Sequence, residues 1–181
     1  MKKFKTSKES RVSITELMLP QHSNFGGKIH GGYILSLMDQ IAFACACKHS
    51  QTYCVTASVN RVDFLNPVDV GELVTLKASI NYTGRTSMVV GVRVEAENVT
   101  TGRKRHCNSS YFTMVAKTED GKNAKVPGLL ISSKEGLRRF ARSIERKLAT
   151  GQRDTKYETN DFNVEEYLSY LTEENVKVDL G

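Results

Sequence analysis

The sequence predicts an α+β domain: a curved antiparallel sheet wrapped around one long central helix, with a C-terminal helical extension. Three observations predict it. Tyr33 to His49 is a seventeen-residue run without glycine or proline, apolar on nearly every face. Downstream, four stretches are strand-like, two of them in clear period-two alternation. The turns between them, "TGRT" and "NVTTG", are short enough for antiparallel hairpins. A helix apolar all round cannot lie on the outside of a sheet, so the sheet has to wrap it.

In chain order, "RVSITELML" alternates Val12 and Ile14 with Ser13 and Thr15, a short strand ended by Pro20. A polar, glycine-bearing loop, "QHSNFGGKIHGG", leads into the central helix. "TYCVTASVNRVDF" is rich in β-branched and aromatic residues and closes at the turn "NPVDVGE". "ELVTLKASINY" sets Val74, Leu76, Ala78, Ile80 and Tyr82 on one face. "SMVVGVRVEAE" sets Met88, Val90, Val92, Val94 and Ala96 opposite Arg93, Glu95 and Glu97. "KRHCNSSYFTMVA" is a long mixed strand. After "EDGKNAKVPG" the character changes. "SSKEGLRRFARSIERKLATG" carries Leu137, Phe140, Ala141, Ile144 and Leu148 at helical spacing, with Ser132 and Glu135 placed as a capping box. "NDFNVEEYLSYL" reads as a short acidic amphipathic helix.

The composition, 39% hydrophobic and 25% charged, is that of a soluble globular chain. No apolar stretch reaches the roughly 20 residues of a membrane span, and no signal-peptide pattern follows "MKKFKTSKES". A cytoplasmic location without membrane insertion is therefore expected. The four cysteines make no Cys-x-x-Cys pair and the four histidines no metal-ligand spacing, so buried thiols and no metal are expected. Net charge is +6, split into +11 on residues 1–150 and −5 on residues 151–181. Such an excess suits a polyanionic partner, either nucleic acid or a phosphate-rich small molecule.

One residue does not fit the central helix. Asp39 sits in its middle, and an ionised carboxylate is seldom buried without a partner. A structural role, pairing or capping, is the ordinary explanation. Gly31 and Gly32 stand just before it, where helix-start N–H groups can stabilise an oxyanion. On an otherwise apolar surface Asp39 would become a stronger base. Asn24, in the preceding loop, is either a turn former or a group that holds a water or a carbonyl oxygen. His30 supports the loop. The hairpin residues Gly84, Arg85, Thr86 and Ser87 are either an ordinary tight turn or a clamp for phosphate or pyrophosphate.

"SNFGGKIHGGYILSLMD", "VTASVNRVDFLNPVDVGE", "RTSMVVGVRVEAENVTTGRKRHCNSSYFTMVA" and "VPGL", taken in order, resemble the cytosolic acyl-coenzyme A thioester hydrolases of the hotdog fold. The resemblance covers roughly residues 8–130. It implies a hotdog domain at 8–121; the extension at 122–181, a basic amphipathic helix followed by an acidic tail, is read from the residues alone. It also implies hydrolysis of acyl-CoA to fatty acid and coenzyme A, without a separate cofactor. Asn24 and Asp39 become catalytic, contributed by different subunits, with the Gly32 N–H at the thioester carbonyl. Gly84, Arg85, Thr86 and Ser87 would meet the nucleotide of coenzyme A. The homo-oligomer expected is a hexamer built from hotdog dimers.

The rival functions are a non-catalytic acyl-CoA-binding sensor, a nucleic-acid-binding protein and a hotdog dehydratase. Retention of both Asn24 and Asp39 argues against the sensor. Arg138, Arg139, Arg142 and Arg146 lack the aromatic platform that nucleic-acid binding would need. A dehydratase would want a histidine beside the acid on the helix.

Overall fold

The computed structural model describes residues 3–157, with side chains through residue 149. The chain divides into two compact units, Met1–Ile144 and Glu145–Gly181. All that follows concerns the first, except that the last helix continues to Tyr157. The acidic segment expected at residues 160–171 lies outside the described residues.

Strand β1 (Phe4–Thr6) and the one-turn helix α1 (Ser7–Ser10) precede β2 (Val12–Leu17). The central helix α2 spans Gly31–Ser50, followed by β3 (Tyr53–Val59), β4 (Glu72–Thr83), β5 (Ser87–Asn98) and β6 (Lys104–Lys117). A short β7 (Gly128–Leu130) and helix α3 (Lys134–Tyr157) complete it. The five long strands form one antiparallel sheet in the order β2-β4-β5-β6-β3, so β2 and β3 are its edges.

Alternation decides which side chains face the helix. Val74, Leu76, Ala78 and Ile80 of β4 are buried, as are Met88, Val90, Val92, Val94 and Ala96 of β5. They meet Ile34, Leu37, Met38, Ile41, Ala42 and Cys45 of α2, and burial of each large side chain is worth about 1.5–3 kcal/mol. Tyr82 departs from the expected face. The β4–β5 register shifts between Ile80 and Tyr82, and an extra residue in a strand reverses the side chains beyond it. The Tyr82 ring instead meets Phe140 of α3, centroids 5.0 Å apart.

Two further features were not legible in the sequence. Phe4–Thr6 pairs in parallel with Gly128–Leu130, so this part of the basic N-terminal segment belongs to the fold. Gly128 permits this pairing, because a Cβ there would lie 2.6 Å from the Phe4 ring. The capping box predicted for α3 does not form. Ser133, not Ser132, caps the helix by accepting from the Gly136 N–H at 3.0 Å. Glu135 instead accepts from Arg138 and Arg139, whose guanidinium groups hold its carboxyl at about 2.

The far end of α2 is fastened by a buried histidine. His49 Nδ1 accepts from the Ser10 hydroxyl at 3.1 Å and Nε2 donates to the Pro127 carbonyl at 3.1 Å. Lys5 donates to the His49 carbonyl at 2.8 Å, where the helix dipole is negative. Burial pushes the His49 pKa below its ordinary value; the Pro127 bond and Glu9 oppose this and the Lys5 charge reinforces it. An unfolded chain therefore takes up a proton near pH ~6.5 that the folded chain refuses. Stability is complete above that pH and erodes below it, by at most about 1.4 kcal/mol per pH unit. Thermal unfolding followed by circular dichroism should show Tm falling between about pH 7.5 and about pH 5.5. A His49→Leu chain, less stable at the higher pH, should show a smaller drop.

Candidate active site

The helix α2 is not enclosed. Its exposed positions Gly32, Ser36, Asp39, Gln40 and Phe43 recur at helical spacing and form one open stripe. The sequence led us to expect Asp39 in an apolar pocket, but in the single chain Asp39 is exposed. Five strands cover one side of a helix, and the acid lies on the other.

Asp39 is nevertheless organised. The Thr56 hydroxyl donates to its Oδ1 at 2.7 Å, and the Met114 sulfur lies 3.5 Å from that hydroxyl oxygen. Thr56 reaches α2 because β3 sends alternate side chains toward the helix. A register shift between Thr56 and Ser58 then interrupts the ladder, and such bulges re-aim side chains beside functional sites. Asp39, Gln40 and Phe43 line a cleft of about 610 Å³ with Tyr53, Cys54, Val55 and Thr56. The Phe43 and Tyr53 rings meet edge to face at 5.8 Å. Cys54 is not a competing nucleophile: burial pushes its thiol up to about 11, so it stays protonated at neutral pH. Thr56 was missed in the sequence, where the only signal was a β-branched hydroxyl on a strand after the helix.

Asn24 is not among the residues lining this cleft. Its side chain builds the turn: Oδ1 accepts from the N–H groups of Gly26 and Lys28 at 2.9 and 3.2 Å. The Asn24 N–H donates to the Lys28 carbonyl at 2.7 Å, and Gly27 takes a φ of 71° to close the loop. Lys28 is tied to Asp69 at 2.5 Å. The loop that holds Asp69 is fixed in turn by Glu72, whose buried carboxylate accepts from the Asp69 N–H at 2.9 Å and from both terminal nitrogens of Arg105.

The Gly32 N–H, expected to face a carbonyl oxygen, has a partner in this structure. It donates to His30 Nδ1 at 3.0 Å, which makes His30 the N-cap of α2. Nearby, Tyr33 donates to Glu16, and that bond raises the Tyr33 pKa. At the hairpin the Gly84 N–H donates to the Ser87 carbonyl at 2.8 Å, and the Arg85 and Thr86 carbonyls accept from Val126 and Ala116. The Arg85 side chain is exposed, without an ion pair among the described residues. None of the four hairpin residues lines the Asp39 cleft. Among the described residues, no group of three histidine, cysteine or acidic side chains converges to hold a metal ion.

A five-stranded antiparallel sheet curled on one helix is the architecture of the hotdog fold, and here it carries a hydrogen-bonded carboxylate on the helix's open side. The sequence pattern of the thioesterase superfamily matches residues 26–102. Protein VdlD of Helicobacter pylori is 38% identical over 142 residues, 78% of this chain and 81% of that protein. The uncharacterized acyl-CoA thioester hydrolase YkhA of Bacillus subtilis is 32% identical over 77% of this chain and 81% of its own length. Among solved structures, an apo-hexameric acyl-CoA thioesterase superposes with a TM-score of 0.82 at 37% identity, covering 84% of this chain and 97% of that one. The chain belongs to the hotdog-fold acyl-CoA thioester hydrolases.

An acyl-CoA hydrolase from Staphylococcus aureus, solved with butyryl coenzyme A, coenzyme A and coenzyme A disulfide, superposes at a TM-score of 0.79 and 27% identity over 93% of this chain and 98% of that one. Alanine variants of that enzyme were solved at an asparagine, an aspartate and a threonine. Those positions are spaced as Asn24, Asp39 and Thr56 are here. The nucleic-acid alternative is not favoured, since the relatives and structural neighbours named above are acyl-CoA thioester hydrolases.

If His30 acts as a cap, His30→Ala should cost about 1 kcal/mol in a denaturant titration, and His30→Asp should recover most of it.

Proposed function

We propose that this protein hydrolyses acyl-CoA thioesters with Asp39 as the reacting carboxylate, Thr56 as the group that orients it, and Asn24 supplied by a second copy. The Thr56–Asp39 hydrogen bond at the wall of the cleft carries the proposal. It fixes one carboxylate oxygen and leaves the other for the reacting water. As general base, Asp39 takes a proton from water while the oxygen adds to the thioester carbonyl carbon. Collapse of the tetrahedral intermediate breaks the C–S bond, and the proton returns to the departing thiolate as the thiol of coenzyme A. As nucleophile, Asp39 would add directly to that carbon. Breaking of the C–S bond would release the coenzyme A thiolate, to be protonated as the thiol, and leave a mixed anhydride. Water then opens the anhydride to the fatty acid and the free carboxylate. Both routes need the same carboxylate beside the thioester, one acting through a water and the other directly on the carbon.

The Gly32 N–H can receive the developing oxyanion only when the His30 ring turns away, exchanging one acceptor for another. Two observations support Asn24 acting in trans: it is exposed outside the cleft, and the open stripe of α2 with the free edge β3 offers a second copy a place to dock. A hexamer built from such dimers is the assembly we infer. Free coenzyme A is a product, so the reaction needs no separate cofactor. Gly84, Arg85, Thr86 and Ser87 are our candidates for the nucleotide, with Arg85, which has no ion pair among the described residues, as the cation of the four. We take residues 8–121 as the hydrolase body and 122–181 as the extension. No helix among the described residues is long and apolar enough to cross a membrane. Four unpaired cysteines support a cytoplasmic setting.

Replacing Asp39 by asparagine should lower kcat at least ~10²-fold while acyl-CoA still binds. Mixing purified Asn24→Ala and Asp39→Asn chains should regain part of the activity after subunit exchange. Near-normal turnover by the Asp39 variant would refute the assignment.

Arg85→Ala should raise KM for acyl-CoA several-fold with kcat little changed, because uniform binding is lost. A short pantetheine thioester, which lacks the nucleotide, should be hydrolysed equally well by both forms. Equal damage to both substrates would show that Arg85 shapes the fold instead.

A further inference from the structure

Among the described residues, Phe25 is the most exposed large apolar side chain, at 114% of its reference exposure. It is not on a slack loop, since the hydrogen bonds of Asn24 on either side and the left-handed Gly27 hold the turn closed. A large ring held outward on a tight turn is poised for a contact the single chain lacks. The cleft around Asp39 offers the matching surface. Its wall includes Phe43 and Tyr53, themselves 38% and 62% exposed.

We propose that Phe25 is a positioning residue that seats against the Phe43–Tyr53 pair of a second copy and so delivers Asn24 to the Asp39 of that copy. The proposal rests on the reading that Asn24 acts in trans. If Asn24 of one copy approaches Asp39 of another, Phe25 arrives within one residue of it. Along the open stripe of α2, Asp39 has two neighbours about one turn away: Ser36 before it and Phe43 after it. Only Phe43 is apolar, and Tyr53 extends the surface from the strand beside it. In a two-fold dimer the contact would occur twice, once for each cleft.

The chain contains no tryptophan, so Phe25→Trp makes a single-tryptophan protein at the position in question. In the assembled protein its emission should be blue-shifted relative to free indole and shielded from acrylamide. Adding Phe43→Ala should shift it toward that of free indole and restore quenching. Solvent-like emission in the assembled protein, or no response to Phe43→Ala, would overturn the proposal. In kinetics, Phe25→Ala should lower kcat about tenfold with KM little changed, since misplacing a catalytic group costs rate. The Phe25→Ala/Phe43→Ala double variant should be no worse than the more damaged single one; fully additive losses would overturn the contact. Activity regained on mixing Asn24→Ala with Asp39→Asn chains, together with an exposed tryptophan, would reject this contact alone. Failure to regain it after verified exchange would reject the reading in trans, and this proposal with it.

Discussion

One five-stranded sheet cannot cover the whole circumference of a helix that is apolar on most of its faces. The rest of the structure depends on that limit. The sheet buries Ile34, Leu37, Met38, Ile41 and Cys45 and leaves Gly32, Ser36, Asp39, Gln40 and Phe43 outside. The uncovered stripe is where the carboxylate stands. On our proposal, assembly and chemistry therefore share one surface. A carboxylate that one chain leaves in water can be placed against apolar groups by a second, where desolvation strengthens a base.

The fold was readable because its determinants are local and periodic. Met88 to Ala96 alternate without a break, and each inward residue of that strand is buried. What escaped were features set by single extra residues or by short pairings. The bulge near Ile80 reversed Tyr82, and no residue type announces a bulge. The Phe4–Thr6 pairing with Gly128–Leu130 joins the two ends of the body through three residues each, too short for any pattern to register. The capping position of α3 moved by one residue because Ser132 and Ser133 are chemically equal.

The site was readable as chemistry and less so as geometry. Asp39 stood out as a charge in an apolar helix, and that anomaly pointed to the face the sheet leaves open. Its exposure did not follow, because the hydropathy of a helix does not say how much of it one sheet can reach. Thr56 has an ordinary strand composition and becomes significant only when its hydroxyl is seen 2.7 Å from the carboxylate. Asn24 takes the turn-forming role through its carbonyl oxygen, and its amide nitrogen remains uncommitted among the described residues.

The bulge beside Thr56 has a consequence for how such a chain can vary over time. Between Thr56 and Ser58 the register with β6 is reset by one residue, and the hydroxyl points at the helix only while that offset is kept. Inserting or deleting one residue in Tyr53–Val59 would turn Thr56 or its replacement to the opposite face. Length changes should therefore be purged from this strand, although much of it is exposed and tolerant of substitution. They can accumulate instead at the turn after Asn98 or the one after Lys117, where Gly102 and Gly121 already carry the reversals. Exposure and evolutionary freedom part company here, because β3 is constrained in its count of residues more than in their identity.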